Sequence, residues 1–158
     1  MPSLMPGMAG AKEAYGISVI KEDHSITIPP KALERYELKN NDSVLLTSTR
    51  INERGLSILN REKAYASVFK KIIDKIEIPD TIVREKKRTF ALTKIVQEKI
   101  FLNDELLQAF HLKQGDKLIV IKSTSLSMSF TAVEIWKDKF EKRGFPEAVR
   151  NMKKLKEY

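Results

Sequence analysis

The chain has 158 residues, enough for one ordinary domain or two very small ones. Hydrophobic residues make up 42% of it and cysteine is absent, which argues against wholesale disorder and excludes disulfides and thiolate metal sites. Lysine and arginine number 29 against 21 aspartates and glutamates, and the formal charge of +8 favours a polyanionic partner. No run approaches the roughly 18 to 20 apolar residues that span a bilayer. We therefore expect a cytoplasmic protein with no membrane partner.

The first 14 residues are interpreted as a flexible leader. They contain two prolines, and the first ten carry no charged residue. That composition is a poor match to a signal peptide, whose first part is positively charged.

Two segments of the chain resemble each other. Residues 15–47 and 89–121 align without a gap at an offset of 74. The identical pairs are Ile26 and Ile100, Leu33 and Leu107, Leu38 and Leu112, Lys39 and Lys113, and Asp42 and Asp116. Apolar character is kept at many of the remaining positions. The pattern predicts an internal duplication.

Each copy has the pattern of two strands, a short helix, a turn and a third strand. In the first copy, residues 17–20 and 26–28 are β-branched runs, and Pro29-Pro30 stops the second strand and fits the first turn of a helix. In the second copy, Asn103 is a predicted helix N-cap. Turns at Asn41 and Gly115 then lead into buried strands at 44–46 and 118–121.

A final strand is expected to close each copy, at 56–59 in the first and at 133–136 in the second. On this alignment the linker before it is three residues longer in the second copy, an insertion that a hairpin loop absorbs at little cost. Apolar residues at helical spacing predict one helix over 60–77, with Asn60 as its N-cap and Pro79 after its end. A last helix is expected over 146–157.

These features give the expected domain organisation. The ranges are a leader at 1–14, a first repeat at 15–62, a connecting helix and basic linker at 63–88, a second repeat at 89–140 and a basic C-terminal helix at 141–158.

The order I-x-I-P, short helix, L-K-x-G-D and hydrophobic strand resembles the AbrB/SpoVT/MazE superfamily of swapped-hairpin domains. Ile26-Thr-Ile-Pro29 carries the first part and Leu112-Lys-Gln-Gly-Asp116 the second. Two copies in one chain look most like the tandem arrangement of the MraZ family. The resemblance implies an α+β fold in which two repeats form an intramolecular, pseudo-dimeric β-barrel with flanking helices. It also implies a DNA-binding transcriptional regulator, with a homo-oligomer as a further form because MraZ-like proteins assemble into rings.

The candidate nucleic-acid-binding residues follow from this resemblance and from charge. The superfamily commonly has an arginine just before the I-x-I-P strand, and Lys99 alone keeps a positive charge there. Further candidates, chosen for charge and nearness to the same loops, are Lys21, Lys31, Arg35, Arg88 and Lys94. The run from Arg84 to Arg88 is either a phosphate-binding arm or a solvated linker.

Other functions stay open. A protein-interaction module, antitoxin-like or scaffold, is the main alternative, and the missing Gly-Arg pairs favour it. Residues 137–158 carry eight Lys or Arg against four Asp or Glu, unlike the acidic tail of a conventional antitoxin. His24 and His111 do not occupy equivalent positions in the two aligned repeats. We interpret Trp136 and Phe140 as core residues. The sequence has no Ser/His/Asp set and no Gly-rich phosphate loop, so we expect neither an enzyme nor a cofactor. An enzyme that uses a barrel of this kind as its substrate domain is a remote third interpretation.

Overall fold

The computed structural model describes residues 13–49 and 53–158, so most of the leader expected at 1–14 lies outside the described residues. In these two stretches the chain has a mixed α+β fold. Its strands are β1 Ala14–Val19, β2 Ser25–Thr27, β3 Ser43–Ser48, β4 Gly55–Asn60, β5 Val83–Glu85, β6 Arg88–Lys94, β7 Lys99–Phe101, β8 Lys117–Lys122 and β9 Ser127–Ala132. Its helices are α1 Pro30–Arg35, α2 Arg61–Tyr65, α3 Lys70–Lys75, α4 Asp104–Ala109, α5 Val133–Lys142 and α6 Pro146–Met152. None of these helices is long and apolar enough to cross a membrane.

Seven strands form one antiparallel sheet in the order β1-β8-β9-β4-β3-β6-β5. The two repeats exchange strands in this sheet. The first strand of the N-terminal repeat, β1, pairs with β8 of the other repeat, and β6 pairs with β3. The closing strands β4 and β9 pair with each other in the middle. The short strands β2 and β7 form a separate two-stranded antiparallel sheet, here called the central ribbon.

The two repeats are related by an approximate two-fold axis. Ile26 lies opposite its counterpart Ile100 in the central ribbon, and Ser57 lies opposite Ser129 between β4 and β9. The backbone repeats the same uncommon conformation at equivalent places. Positive φ angles occur at His24 and Glu98, at Glu37 and His111, and at Asn41 and Gly115. Such angles are uncommon for residues other than glycine, so their repetition supports the predicted duplication.

The gap-free alignment is wrong outside the middle of each repeat. Ile20 and Ile95 make the same pair of hydrogen bonds to equivalent turns, and they are 75 residues apart. Ser57 and Ser129 face each other at a separation of 72. The offset of 74 therefore holds only between these regions. Loops between strands absorb the one- and two-residue differences because a small change of loop length costs little entropy.

One core lies between the inner face of the sheet, helices α1 and α4, and the central ribbon. Alternate residues of the strands point into it, as the pleat of a strand requires. It takes equivalent buried residues from both repeats: Ile26, Ile28, Leu38, Val44, Ile100, Leu102, Leu107, Leu112 and Leu118. Leu33 is partly buried against it. Both repeats thus contribute equivalent residues to one shared core.

The outer face of the sheet is covered by helices at two separate places. Helices α5 and α6 pack over Ile119 and Ile121 of β8. Residues of α2 and α3 pack over Leu45, Leu59 and Phe90. The middle of this face, around Ser57 and Ser129, lies between the two apolar clusters.

The expected closed β-barrel is not formed. The seven-stranded sheet is open, with β1 and β5 at its edges. The central ribbon covers the inner face without joining the sheet. The outer edge of β1 is occupied by residues 156–158: Ile17 N donates to Lys156 O at 2.9 Å and Tyr158 N donates to Ile17 O at 2.7 Å. Both outward-facing backbone groups of Ile17 are thereby satisfied.

The strand expected at 133–136 is wrong, because helix α5 begins at Val133. Val133, Trp136 and Phe140 follow the spacing of one helix face and pack against the cluster over β8. The closing strand of the second repeat is β9, where Met128 and Phe130 alternate with serine and threonine and are buried in the core.

The single helix expected over 60–77 is also wrong. Asn60 is the N-cap as predicted, since its side chain accepts hydrogen bonds from the backbone of Glu62 and Lys63. The helix it begins, α2, ends at Tyr65, and α3 begins only at Lys70. Val68, in the turn between them, is 89% exposed. The second predicted N-cap, Asn103, is confirmed by a 2.9 Å hydrogen bond from Leu106 N.

Gly55 provides a test of the close packing where the two closing strands meet. Its φ is +152°, and a Cβ there would overlap the carbonyl oxygen of Phe130 on β9. We expect Gly55→Ala to lower the free energy of unfolding by about 1 to 3 kcal/mol, because both the backbone angle and the strand contact oppose a side chain. Urea denaturation measures the change.

Gly115→Asn is the matched control. A Cβ at Gly115 would meet nothing within 4 Å, and the equivalent position already holds Asn41 at φ 73°. We expect a loss within about 1 kcal/mol, since asparagine tolerates this conformation. Equal losses for the two variants would contradict the packing described for Gly55.

Candidate nucleic-acid interface

The outer face of the central ribbon brings together two of the predicted residues. Alternation along β7 directs Ile100 into the core and Lys99 outward. Thr27 lies opposite Lys99 on β2, and Lys21 Nζ donates a 3.1 Å hydrogen bond to Thr27 Oγ1. Lys21 and Lys99 thus share one half-buried surface, although they are 78 residues apart in the chain.

The electrostatics of this surface agree with that closeness. Burial lowers the pKa of Lys21, and the positive charge of Lys99 lowers it further. Asp23 stands at the same turn, where its carboxylate accepts hydrogen bonds from the hydroxyl and the backbone N–H of Ser25 at 2.6 and 3.0 Å. These bonds lower the pKa of Asp23, and Lys99 adds to the effect. The two lysines therefore lie beside one aspartate that is already held by Ser25.

The remaining predicted residues lie elsewhere. Lys31 and Arg35 are exposed on α1, and the Arg35 guanidinium lies 5.6 Å from the centroid of the Tyr36 ring. Lys94 is exposed at the end of β6, beside a cavity that is also lined by Asp23 and Asp80. Four of the six predicted residues are therefore not part of the Lys21–Lys99 surface.

The other half of the ribbon surface is apolar. Phe101 and Val96 are 40% and 46% exposed, and both line the cavity beside Lys94. Ile78, just before Pro79 of the same cavity, is 63% exposed. The two repeats thus have similar backbone conformations in the ribbon but expose different side chains on either side of the axis.

The basic run Arg84 to Arg88 forms a β-hairpin. Strands β5 and β6 are joined at Lys86 and Lys87, whose φ angles of 49° and 66° match a tight two-residue turn. Arg88 is anchored at the base of the turn, where its Nη2 donates to Thr47 Oγ1 at 3.0 Å and its guanidinium lies 5.4 Å from the Phe90 ring centroid.

This hairpin forms one wall of a groove on the outer face of the sheet, called here the basic groove. The groove has a volume of about 720 Å³, and helix α5 forms its opposite wall. Ser57 and Ser129 lie on its floor, at the approximate two-fold axis. Its cationic lining residues are Lys86, Lys87, Arg88, Lys122, Lys139 and Arg143.

Among the described residues, one acidic side chain lines the basic groove. Glu53 lies there, and its carboxylate forms an ion pair with Lys139. The Lys139 ammonium also lies 4.8 Å from the centroid of the Trp136 ring on the same wall. The groove therefore holds five cationic side chains beyond the one that Glu53 neutralises.

Of the six groove cations, the sequence had indicated only Arg88. The charge run at 84–88 and the basic excess after residue 137 were visible signals for the two walls. The sequence did not show that these two walls face each other across β4 and β9, because that arrangement depends on α5 being a helix and on the exchange of strands.

The described residues contain no group of three or more His, Asp or Glu side chains placed to hold a metal ion. His24 Nδ1 lies 3.7 Å from a carboxylate oxygen of Asp104, and His111 lines a cavity next to the basic groove. The two histidines thus lie at separate places in the fold.

The chain was compared with protein-family models, curated proteins and solved structures, and none of them matches it.

The Lys21–Lys99 surface can be tested by titration. We expect Lys99→Ala to raise the pKa of Lys21, because the neighbouring positive charge is removed while the burial of Lys21 remains. The ¹³Cε chemical shift of Lys21 followed against pH measures it. Lys94→Ala is the control and should leave this pKa unchanged. An unchanged Lys21 pKa in Lys99→Ala would show that the two side chains are not neighbours.

Proposed function

We propose that this protein is a duplex-DNA-binding transcriptional regulator of the AbrB/SpoVT/MazE type, built as a tandem swapped-hairpin pseudo-dimer. The observation that carries the proposal is the meeting of Lys21 and Lys99 on the outer face of the central ribbon. Lys99 occupies the position where the superfamily resemblance places a DNA-contacting arginine.

The strand exchange supports the swapped-hairpin part of this proposal. Each repeat gives its first strand to the other repeat, and the central ribbon takes one strand from each. A single chain with two repeats can thereby make the contacts that two chains make in a swapped dimer. Because the sheet is open, the proposal extends to this exchange and not to a closed barrel.

The ribbon surface suits phosphate contacts more than base reading. Lysine ammonium groups act as point charges, whereas base edges are read best by the planar, bidentate arginine. Lys31 and Arg35 on α1 supply further exposed charge on the first repeat. On the second repeat, the equivalent helix α4 begins with Asp104 and Glu105, which repel phosphate.

A protein-interaction module is the second candidate function. The exposed apolar side chains Ile78, Val96 and Phe101 on the second half of the ribbon surface favour it. Exposed apolar residues that cluster are typical of surfaces that bind proteins. The two candidates place their ligands on different halves of one surface.

The DNA proposal predicts electrostatic binding that Lys99→Ala weakens. With four to six phosphates contacted, log K against log salt should have a slope of about −4 to −5, and the variant should reduce its magnitude by about one. Fluorescence anisotropy with mixed-sequence duplexes at several salt concentrations measures both quantities. The loss should be equal for all sequences if Lys99 contacts phosphate alone.

Lys154→Ala is the control, because Lys154 is an exposed lysine after α6 that belongs neither to the Lys21–Lys99 surface nor to the lining of the basic groove. It should keep the slope of the unmodified protein. Absence of measurable duplex binding at low salt by folded protein would overturn the DNA proposal and favour a protein partner.

A further inference from the structure

We propose that the basic groove binds single-stranded nucleic acid. The inference goes beyond the duplex binding proposed for the ribbon surface and does not depend on it. The approximate two-fold axis passes through Ile26 and Ile100 on one side of the core and through Ser57 and Ser129 on the other. The groove therefore lies on the opposite face of the molecule from the ribbon.

The charge of the groove fits a phosphodiester backbone. Lys86 and Lys87 project from the hairpin, and Arg143 lies at the end of α5 on the opposite wall. In the described part of the chain, neither these three nor Lys122 forms a salt bridge. Cations without carboxylate partners on two facing walls attract a polyanion lying between them.

The floor of the groove offers hydroxyl groups. Ser57 and Ser129 are half-buried, and their hydroxyls make no hydrogen bond to the rest of the described chain. Serine hydroxyls and cationic side chains are the usual protein partners of phosphate and sugar oxygens. A strand that entered the groove could therefore be bound from below as well as from both walls.

The shape of the groove favours one strand over two. Duplex DNA is stiff over about 150 base pairs, so its backbone adapts less readily than a single strand to the half-buried serines between the two walls. Single strands are flexible, and proteins bind them in positively charged grooves that follow the backbone. The groove also continues past the hairpin into a second cavity of about 600 Å³. The residues shared by the two cavities are Ser48, Thr49, Glu53, Lys87 and Arg88. This continuity suits a polymer.

Glu53 reduces the attraction of the groove for anions in the free protein. Its side chain is only 14% exposed, and its carboxylate pairs with Lys139, so it neutralises one of the groove's cations. Removing the charge of Glu53 should therefore strengthen binding.

The experiment uses the intrinsic fluorescence of the full chain. Trp136 is the single tryptophan of the sequence and lies in the groove wall, so its emission reports on this site. We expect a saturable change on titration with an oligothymidylate of about 12 nucleotides, a length within the usual range for such sites. Six phosphate contacts would give a salt slope of about −4.

Two variants test the assignment in opposite directions. The double variant Lys87→Gln/Arg143→Gln removes one charge from each wall and should reduce the magnitude of the slope by about 1.4. Glu53→Gln should tighten binding by about three- to ten-fold, as expected for removal of one nearby like charge. Lys99→Ala, on the opposite face, and Lys154→Ala should leave oligothymidylate binding unchanged. Circular dichroism checks that each variant is folded.

Several results would overturn the proposal. One is the absence of a Trp136 fluorescence change when oligothymidylate is added at low salt. A second is equal oligothymidylate binding by the double variant and the unmodified protein. A third is a Trp136 fluorescence change showing that polyglutamate or duplex DNA binds as tightly as oligothymidylate. The last two ligands would make the groove a general polyanion surface. Loss of duplex binding in Lys99→Ala with retained oligothymidylate binding would separate the two proposals.

Discussion

The whole architecture depends on the exchange of strands between the two repeats. Strand β8 has β1 of the other repeat on one side and its own β9 on the other, and β3 is placed equivalently between β6 and β4. Reciprocal backbone hydrogen bonds hold the exchange at its ends: Asn41 N donates to Ile95 O at 2.7 Å, and Gly115 N donates to Ile20 O at 2.8 Å. Neither repeat can complete its sheet or cover its apolar face alone, because buried strands need both kinds of partner. The chain therefore folds as one unit around a shared core.

This exchange also places the two candidate surfaces. An approximate two-fold axis leaves the molecule through the central ribbon on one face and through the floor of the basic groove on the other. In a symmetric dimer of two identical chains, each side chain near such an axis would face an identical side chain of the other chain. In a single chain they are free to differ, so Lys21 and Thr27 have Val96 and Phe101 as their structural counterparts on the ribbon. The two halves of the ribbon surface thus have similar backbones and different side-chain chemistry.

The sequence predicted local features better than long-range ones. The sequence predicted both asparagine N-caps and the strands at 44–46 and 118–121, because short patterns of neighbouring residues specify these features. The closing strand of the second repeat was misplaced because the apolar residues of 133–136 suit either a strand or a helix start, and only packing against β8 decides between them. The helix over 60–77 was overextended because its apolar periodicity passes through Val68, which the structure exposes. Of the candidate site, Lys21 and Lys99 were predicted but their shared surface was not, since it depends on the pairing of Ile26 with Ile100, 74 residues further along the chain.

The short segment that lies along β1 bears on how the chain reaches this fold. Residues 17 and 157 are bridged in parallel, which makes this pairing one of the most distant in the chain. In any partly folded form in which residues 156–158 are detached from β1, the backbone groups of Ile17 that they satisfy are open to any other extended strand. Such a form is the one most exposed to pairing with a neighbouring copy, and the ion pair between Lys117 and Glu157 opposes it because it holds this segment beside the sheet.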